Sequence, residues 1–536
     1  MTLAGYDLRT HASGELVRAF RIAPTGGQVA FIENYQLFVA PLPALGMPLT
    51  LGADFTGLSL RQVSTHGAAY PYWSKDGQRL HWSMGSMHYE QVISPEPTTT
   101  VDPKPVDLSL VVDSDRPKGL VALIGGRIIT MQDDQKVIEQ GTILVRDNRI
   151  IGVGTVAEVE VPSDARRVDM RGKTLMPGMV DAHAHGPYAR NDVIPQSNYS
   201  LLAHLALGVT TVHNPSSKAS EVFAAAEYQR AGRILGPRIF STGEVVYGAK
   251  SLGFARINNF EQAQAHVRRL KAQGAVSIKN YNQPRRAQRQ QVIEAARQEG
   301  LAVVAEGASL FQLDMNLIAD GSTGIEHNIP TLKIYDDVRQ FWGKSSVGYT
   351  PTLVVTYGGL TSEDYYYQKT EVWKHPILSR FVPPDALQAR SVRRVMAPES
   401  DFRDDDAAAV ALQLAEQGVI VNTGAHGQRE GLATHWELWS FVRGGFTPLE
   451  ALKLATINPA RYLGMDQDIG SLEPGKLADI VVLNRNPLID IHYTQEIADV
   501  MINGRLFDAK TLAERVTGDR QAPRLWWHDR DYLQIR

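Results

Sequence analysis

Between residues 176 and 465 the chain repeats one pattern, a short apolar run followed by an amphipathic stretch of helical period. The runs are VDAHAH, GVTTVHN, PRIFSTG, SIKNYN, AVVAEG, GIEHN, GYTPTLVV and VIVNTGAH. Between them lie stretches such as SEVFAAAEYQRAGRI, FEQAQAHVRRLKAQ, RQQVIEAARQEG and DAAAVALQLAEQ. Apolar runs of this length read as buried strands, and the stretches between them as helices that cover those strands. Eight such repeats predict an α/β fold centred on a (β/α)8 TIM barrel. The C-terminal strand ends of that barrel form the face that carries chemistry. Nearly every run here ends in a polar or ionisable residue, as that face requires.

The flanks have a different texture. ALIGGRIITM, GTILVRDNRIIGVG and ARRVDMRGKTLMPG alternate apolar and polar residues between Gly, Asp and Asn turns. The same texture returns in GSLEPGKLADIVVLNRNP and ADVMINGRLFD. Together they predict a composite β-sandwich, its first part over 113–175 and its second, with a C-terminal tail, over 466–536. Residues 1–112 read as an N-terminal β-rich accessory unit. RIAPTGGQVAFIENYQLFVAPL gives two strands around Gly26–Gly27, and PYWSKDGQRLHWSMG a hairpin turning at Asp76–Gly77. The phrase Trp73-Ser74-Lys75-Asp76-Gly77 resembles the blade signature of TolB-like β-propellers. One or two blades are too few to close a propeller, which takes about four. A propeller remnant and a plain β extension both fit.

A chain of 536 residues exceeds one ordinary core. With 43% hydrophobic and 21% charged residues it has the composition of a globular protein. The 55 basic and 58 acidic residues leave a net charge of −3 and no long basic run, which gives no electrostatic reason to expect nucleic acid or an anionic membrane as partner. There are no cysteines, so thiolate metal ligands and disulfides are excluded. The N-terminus has no basic end followed by an apolar run, and no stretch of about 18 apolar residues occurs. As it stands the chain reads as cytoplasmic. A truncated or processed start leaves a periplasmic or secreted protein equally open. The expected partner is a small-molecule amide or ester, and a homo-oligomer is compatible with the sequence.

His183 and His185 are the strongest chemical signal. Two apart on a strand, their imidazoles share one face, which at the first strand end is the interior. Two neutral imidazoles there suit a divalent metal such as zinc. Lys279 ends the fourth run, Glu306 the fifth, His327 the sixth and His426 the eighth, and all four would project into the same mouth as further candidate metal ligands. A lysine pointing inward is costly to keep charged, and carbamylation by carbon dioxide would make it a carboxylate able to bridge two metals. An outward, solvent-reaching lysine fits the spacing equally well. His213 ends the second run and is read as a substrate contact. Tyr357, beside Gly358 and Gly359 at the end of the seventh run, could line the site. The aromatic excursion TYGGLTSEDYYYQKTEVWKHPILSRF reads either as a cap over the pocket or as plain surface packing. His435 and Glu437, in THWELW, read as structural residues on the first turns of a helix.

LMPGMVDAHAH, GVTTV, GIEHN, EALKLATINPARYLG and GSLEPGKLADIVVLNRNPL resemble the amidohydrolase superfamily over about 120–510. The nearest branch is the imidazolonepropionase- and prolidase-like enzymes, of the kind fused to TolB-like propellers. The resemblance implies a barrel with a composite sandwich and one or two divalent metals. His183 and His185 match its first-strand ligands, Lys279 its carbamylated bridging lysine, and His327 its sixth-strand histidine. Two positions depart from it. The common fifth-strand histidine is missing, with Glu306 the nearest donor, and Gly424-Ala425-His426 stands where a G-T-D phrase is usual.

The expected activity is hydrolysis of a dipeptide-like or N-acyl amide, or a related carbon–nitrogen or ester bond, by metal-activated water. His426 or Glu306 would take up the proton and pass it to the leaving group, with His327 or a metal polarising the carbonyl. Two alternatives stand beside it. One is a deaminase or cyclic-amide hydrolase using the same centre; the other is a disabled barrel serving as a binding scaffold.

Overall fold

Alternating apolar and polar residues on both flanks of the chain meet in a single sheet. The computed structural model describes residues 12–43, 47–94, 103–134, 136–307 and 310–528. In it, Leu120–Ile129 and Val137–Arg146 pair antiparallel, and Arg149–Thr155 adds to their edge. Thr174–Pro177 pairs parallel with Leu120–Ile129 and antiparallel with Ile480–Leu483. Arg166–Asp169, parallel to Leu120–Ile129, and the strands Ile497–Ile502 and Arg505–Asp508 complete an eight-stranded mixed sheet. One apolar cluster joins Val121, Leu123 and Ile143 to Ile480, Val482 and Met501. Each fully buried aliphatic side chain contributes about 1.5–3 kcal/mol, so the two flanks depend on each other for a core.

This sheet belongs to a unit spanning Asp113–Gly243 and Ala302–Arg536. The same unit contains a parallel arc. Ala302–Glu306 pairs with Gly324–Glu326, which pairs with Gly348–Thr350. A parallel bridge from Tyr349 to Val421 carries the arc onward. The Ala182 amide donates to the Thr423 carbonyl at 3.0 Å, joining that segment to Met179–Asp181. Val209–Asn214 and Arg238–Ser241 follow in parallel register. Every residue of Val209–Asn214 is buried, as expected of a strand covered on both faces. The helix Leu432–Arg443 is buried over ten consecutive residues, Leu432 to Phe441, so it lies inside the unit and not on its surface.

The other unit comprises Met1–Val112 and Glu244–Leu301. Among its described residues, Val17–Ile22, Gln28–Glu33, Gln36–Pro41 and Arg61–Gln62 form one antiparallel four-stranded sheet. Ala69–Trp73, Arg79–Met84, Met87–Val92 and Val106–Asp107 form a second. At the Asp76–Gly77 turn, Ser74 Oγ donates to Asp76 Oδ1 at 2.6 Å and the Gly77 amide donates to the Ser74 carbonyl at 2.9 Å. The helices Phe260–Gln273 and Arg286–Gln298 and the strand Ser277–Asn280 belong to this unit. Among the described residues no helix is long and apolar enough to cross a membrane.

Burial inside Leu432–Arg443 has a consequence for pH. His435 donates from Nε2 to the Leu207 carbonyl at 3.0 Å, and burial lowers its pKa to about 3 from 6.5. The unfolded chain therefore protonates His435 near pH 6.5, while the folded chain resists until about 3. Its contribution to stability is present above that window and is lost as pH falls through it, by up to about 1.4 kcal/mol per pH unit. In urea unfolding, the difference in stability between wild type and His435→Gln should shrink as pH is lowered from about 7 to about 4.5. A difference that stays constant over that range would contradict this.

Candidate metal centre

The centre is assembled at the ends of the parallel strands. Just past the strand Met179–Asp181, Ala182 and Ala184 donate their amides to the carbonyls of Thr423 and His213, both at 3.0 Å, and so pin the segment that carries His183 and His185 to the neighbours on either side. Their Nε2 atoms stand 3.2 Å apart. His426 arrives from the far end of the sequence, its amide donating to the His183 carbonyl at 2.6 Å. The turn that brings it there is tight. A Cβ on Gly427 would lie 2.0 Å from the His185 carbonyl oxygen, and Gly427 holds a φ of +72°. The ligand atoms of His183, His185 and His426 all lie within 4.8 Å of one another.

Those donors fit a divalent metal. Two nitrogens each about 2.0–2.1 Å from one zinc ion are about 3.3 Å apart in a tetrahedral arrangement. The outer nitrogens are already engaged. His183 Nδ1 lies 2.5 Å from Glu326 Oε2, and His185 Nδ1 lies 3.0 Å from Asn214 Oδ1. The Asn214 oxygen is identified by the Ser216 amide, which donates to it at 2.9 Å. Carboxylate and amide oxygens only accept, so both imidazoles carry hydrogen on Nδ1 and present an Nε2 lone pair to the centre.

Glu306 and His327 form a second pair beside this trio. His327 Nε2 is 3.3 Å from Glu306 Oε1, and His327 Nδ1 is 2.7 Å from Thr352 Oγ1. The His327 ring centroid is 5.0 Å from both His183 and His426, and 5.3 Å from Tyr357. His327, Thr352 and His426 have φ values of +73°, +48° and +58°. Left-handed backbone at three non-glycine residues is costly, markedly so for β-branched Thr352, and such strain gathers at functional sites.

Beneath the trio lie two buried carboxyls. Asp181 accepts from the amides of His183 and Ala425 at 3.2 and 3.0 Å and from Thr434 Oγ1 at 3.1 Å, and burial pushes its pKa up to about 7. Glu437 accepts from the Val354 amide at 2.6 Å, and burial raises it well above the usual carboxylate range.

The other residues expected from sequence fall as follows. Lys279 lies in the other unit, on the strand Ser277–Asn280, and is 2% exposed. His213 is fully buried, with Nδ1 on the Ala182 carbonyl at 3.0 Å. Tyr357 is half-buried, and its amide donates to Asn328 Oδ1 at 2.7 Å. The aromatic excursion is packed down: Tyr366 stacks on Trp436 at 5.2 Å, and Arg429 Nε donates to Tyr367 Oη at 2.7 Å. Arg429 stands three residues after His426, so the excursion is tied to the loop that carries it.

Sequence reasoning missed Asp181, Asn214, Glu326, Thr352 and Tyr462. Asp181 had a signal, because it precedes His183 by two and so shares its face. Glu326 had none. It adjoins His327, and neighbours in a regular strand point to opposite faces. The left-handed backbone of His327 ends that alternation, and both side chains meet His183.

An imidazolonepropionase of Symbiobacterium thermophilum is 26% identical over 443 residues, covering 75% of this chain and 97% of the relative. A 5-methylthioadenosine/S-adenosylhomocysteine deaminase of the same organism is 24% identical over 411 residues, covering 67% of this chain and 84% of the relative. The crystal structure of a Xaa-Pro dipeptidase with bound methionine matches the fold at a TM-score of 0.56 and 20% identity, covering 73% of this chain and all of that one. The pattern of the Amidohydrolase family matches residues 174–507, more than half the chain, which therefore belongs to that family of carbon–nitrogen hydrolases.

Proposed function

We propose that the protein hydrolyses the amide bond of a small dipeptide-like or N-acyl substrate at a zinc centre held by His183, His185 and His426. The single observation that carries this is the convergence of those three imidazoles within 4.8 Å, with the outer nitrogens of two of them already engaged. We propose further that the parallel arc closes as an eight-stranded barrel, as family membership implies.

A bound divalent ion supplies a water acidified toward neutral pH and a positive charge for the carbonyl oxygen. The remaining work falls to the chain's own groups. Glu306, 3.3 Å from His327 Nε2, takes up the water's proton. His327 passes its Nε2 proton to the leaving nitrogen, regains the water's proton from Glu306, and is held for that by Thr352 Oγ1 at 2.7 Å. Tyr357, whose ring stands 5.3 Å from His327, lines the approach and contacts the substrate. His213, fully buried against Ala182, supports the loop of the first two histidines. Carbamylation of Lys279, by addition of carbon dioxide to its amine with loss of a proton, is a further proposal that the intact mass of the purified protein tests.

The deaminase relatives favour a second reading, in which the same centre displaces ammonia from a ring carbon. Ammonia release from aminopurines, set against amine release from dipeptides and N-acyl amino acids, separates the two.

Removing metal with a chelator should abolish turnover and adding zinc should restore it, while His183→Ala should lose both metal and activity. Full turnover in chelator would contradict the proposal. Glu306→Gln should lower turnover about 10²–10⁴-fold with metal content unchanged. Loss of metal in that variant would make Glu306 a ligand and not the proton acceptor.

A further inference from the structure

We infer that Glu326 and Tyr462 form a positioning pair that sets how tightly the three-imidazole centre holds its metal. The inference rests on the metal reading proposed above, and it gives a role to the ATINPARYLG segment, which that reading leaves unused.

The pair is built into the strands. Glu326 ends Gly324–Glu326 and is fully buried. Its Oε2 meets His183 Nδ1 at 2.5 Å, and its Oε1 accepts from Tyr462 Oη at 2.9 Å. Tyr462 is the last residue of the helix Ile457–Tyr462. Its phenol reaches Glu326 through a slot made by two glycines. A Cβ on Gly324 would lie 1.9 Å from Tyr462 Oη, and one on Gly348 would lie 2.7 Å from the ring's Cδ2. Gly324 and Gly348 are register partners on adjacent strands. Glycine inside a strand weakens it, and it is placed where another group must approach closely. Here that group is the ring that holds Glu326.

The chemistry follows from the geometry. Tyr462 is buried, which keeps its phenol protonated, so it can only donate to the carboxylate. Donation to Oε1 fixes the carboxylate plane and leaves Oε2 for His183. A carboxylate on Nδ1 selects the tautomer with its lone pair on Nε2 and makes that nitrogen a stronger donor. A buried carboxylate is itself costly, and a cation bound through His183 offsets that cost. Tyr462, Glu326 and His183 thus form one hydrogen-bonded chain, which a bound metal would extend.

The test is zinc affinity of the full-length protein, measured by competition with a chelator of known strength, alongside the melting temperature with and without zinc. Glu326→Gln should bind zinc about 10- to 100-fold more weakly, and Tyr462→Phe should weaken it by a smaller factor in the same direction. The melting temperature of the metal-free forms should stay near that of the metal-free wild type, and the rise on adding zinc should shrink. Wild-type affinity in Glu326→Gln would overturn the inference. If that variant does not fold, unchanged affinity in Tyr462→Phe overturns it. A wild-type protein that binds no zinc would contradict the metal reading, a separate outcome.

Discussion

Three imidazoles brought within 4.8 Å of one another are a problem in electrostatics before they are a site. Neutral rings that turn lone pairs toward one point repel, and protonated rings there repel more. A divalent cation removes the conflict by accepting every lone pair at once. The fold enforces the arrangement from outside. Backbone hydrogen bonds from Ala182 and Ala184 pin the segment of His183 and His185, and a left-handed turn at His426 adds the third ring. The carboxylate of Glu326 and the amide of Asn214 fix which nitrogen each first-strand ring offers.

The second consequence is a division of labour. Glu306 and His327 stand next to the trio but face each other. A carboxylate–imidazole pair beside an electrophilic centre can relay protons without competing for the ion. This accommodates the two departures from the usual family pattern. The end of the eighth run carries an imidazole, His426, and the end of the fifth a carboxylate, Glu306.

Much of the secondary structure was legible because strand and helix periods leave direct marks. The runs in GVTTVHN, AVVAEG and GIEHN are the strands Val209–Asn214, Ala302–Glu306 and Gly324–Glu326. FEQAQAHVRRLKAQ is the helix Phe260–Gln273. His183, His185 and His426 were legible as donors at run ends. Glu326 and Tyr462 were not, because a polar pair joined across 136 residues has no spacing to read. The aromatic excursion was ambiguous for another reason. A cap and a packed insertion want the same residues, and it takes contacts such as Tyr366 on Trp436 and Tyr367 on Arg429 to show it packed. Glu244–Leu301 groups with the N-terminal sheets, a partition that local period cannot reveal.

The central claim is that one ion sits among His183, His185 and His426. Anomalous scattering at the zinc edge, from crystals grown with zinc, tests it most directly. The account predicts a single strong peak about 2.0–2.1 Å from a nitrogen of each of the three imidazoles. A peak elsewhere, or none, with those rings hydrogen-bonded only to one another, would contradict it.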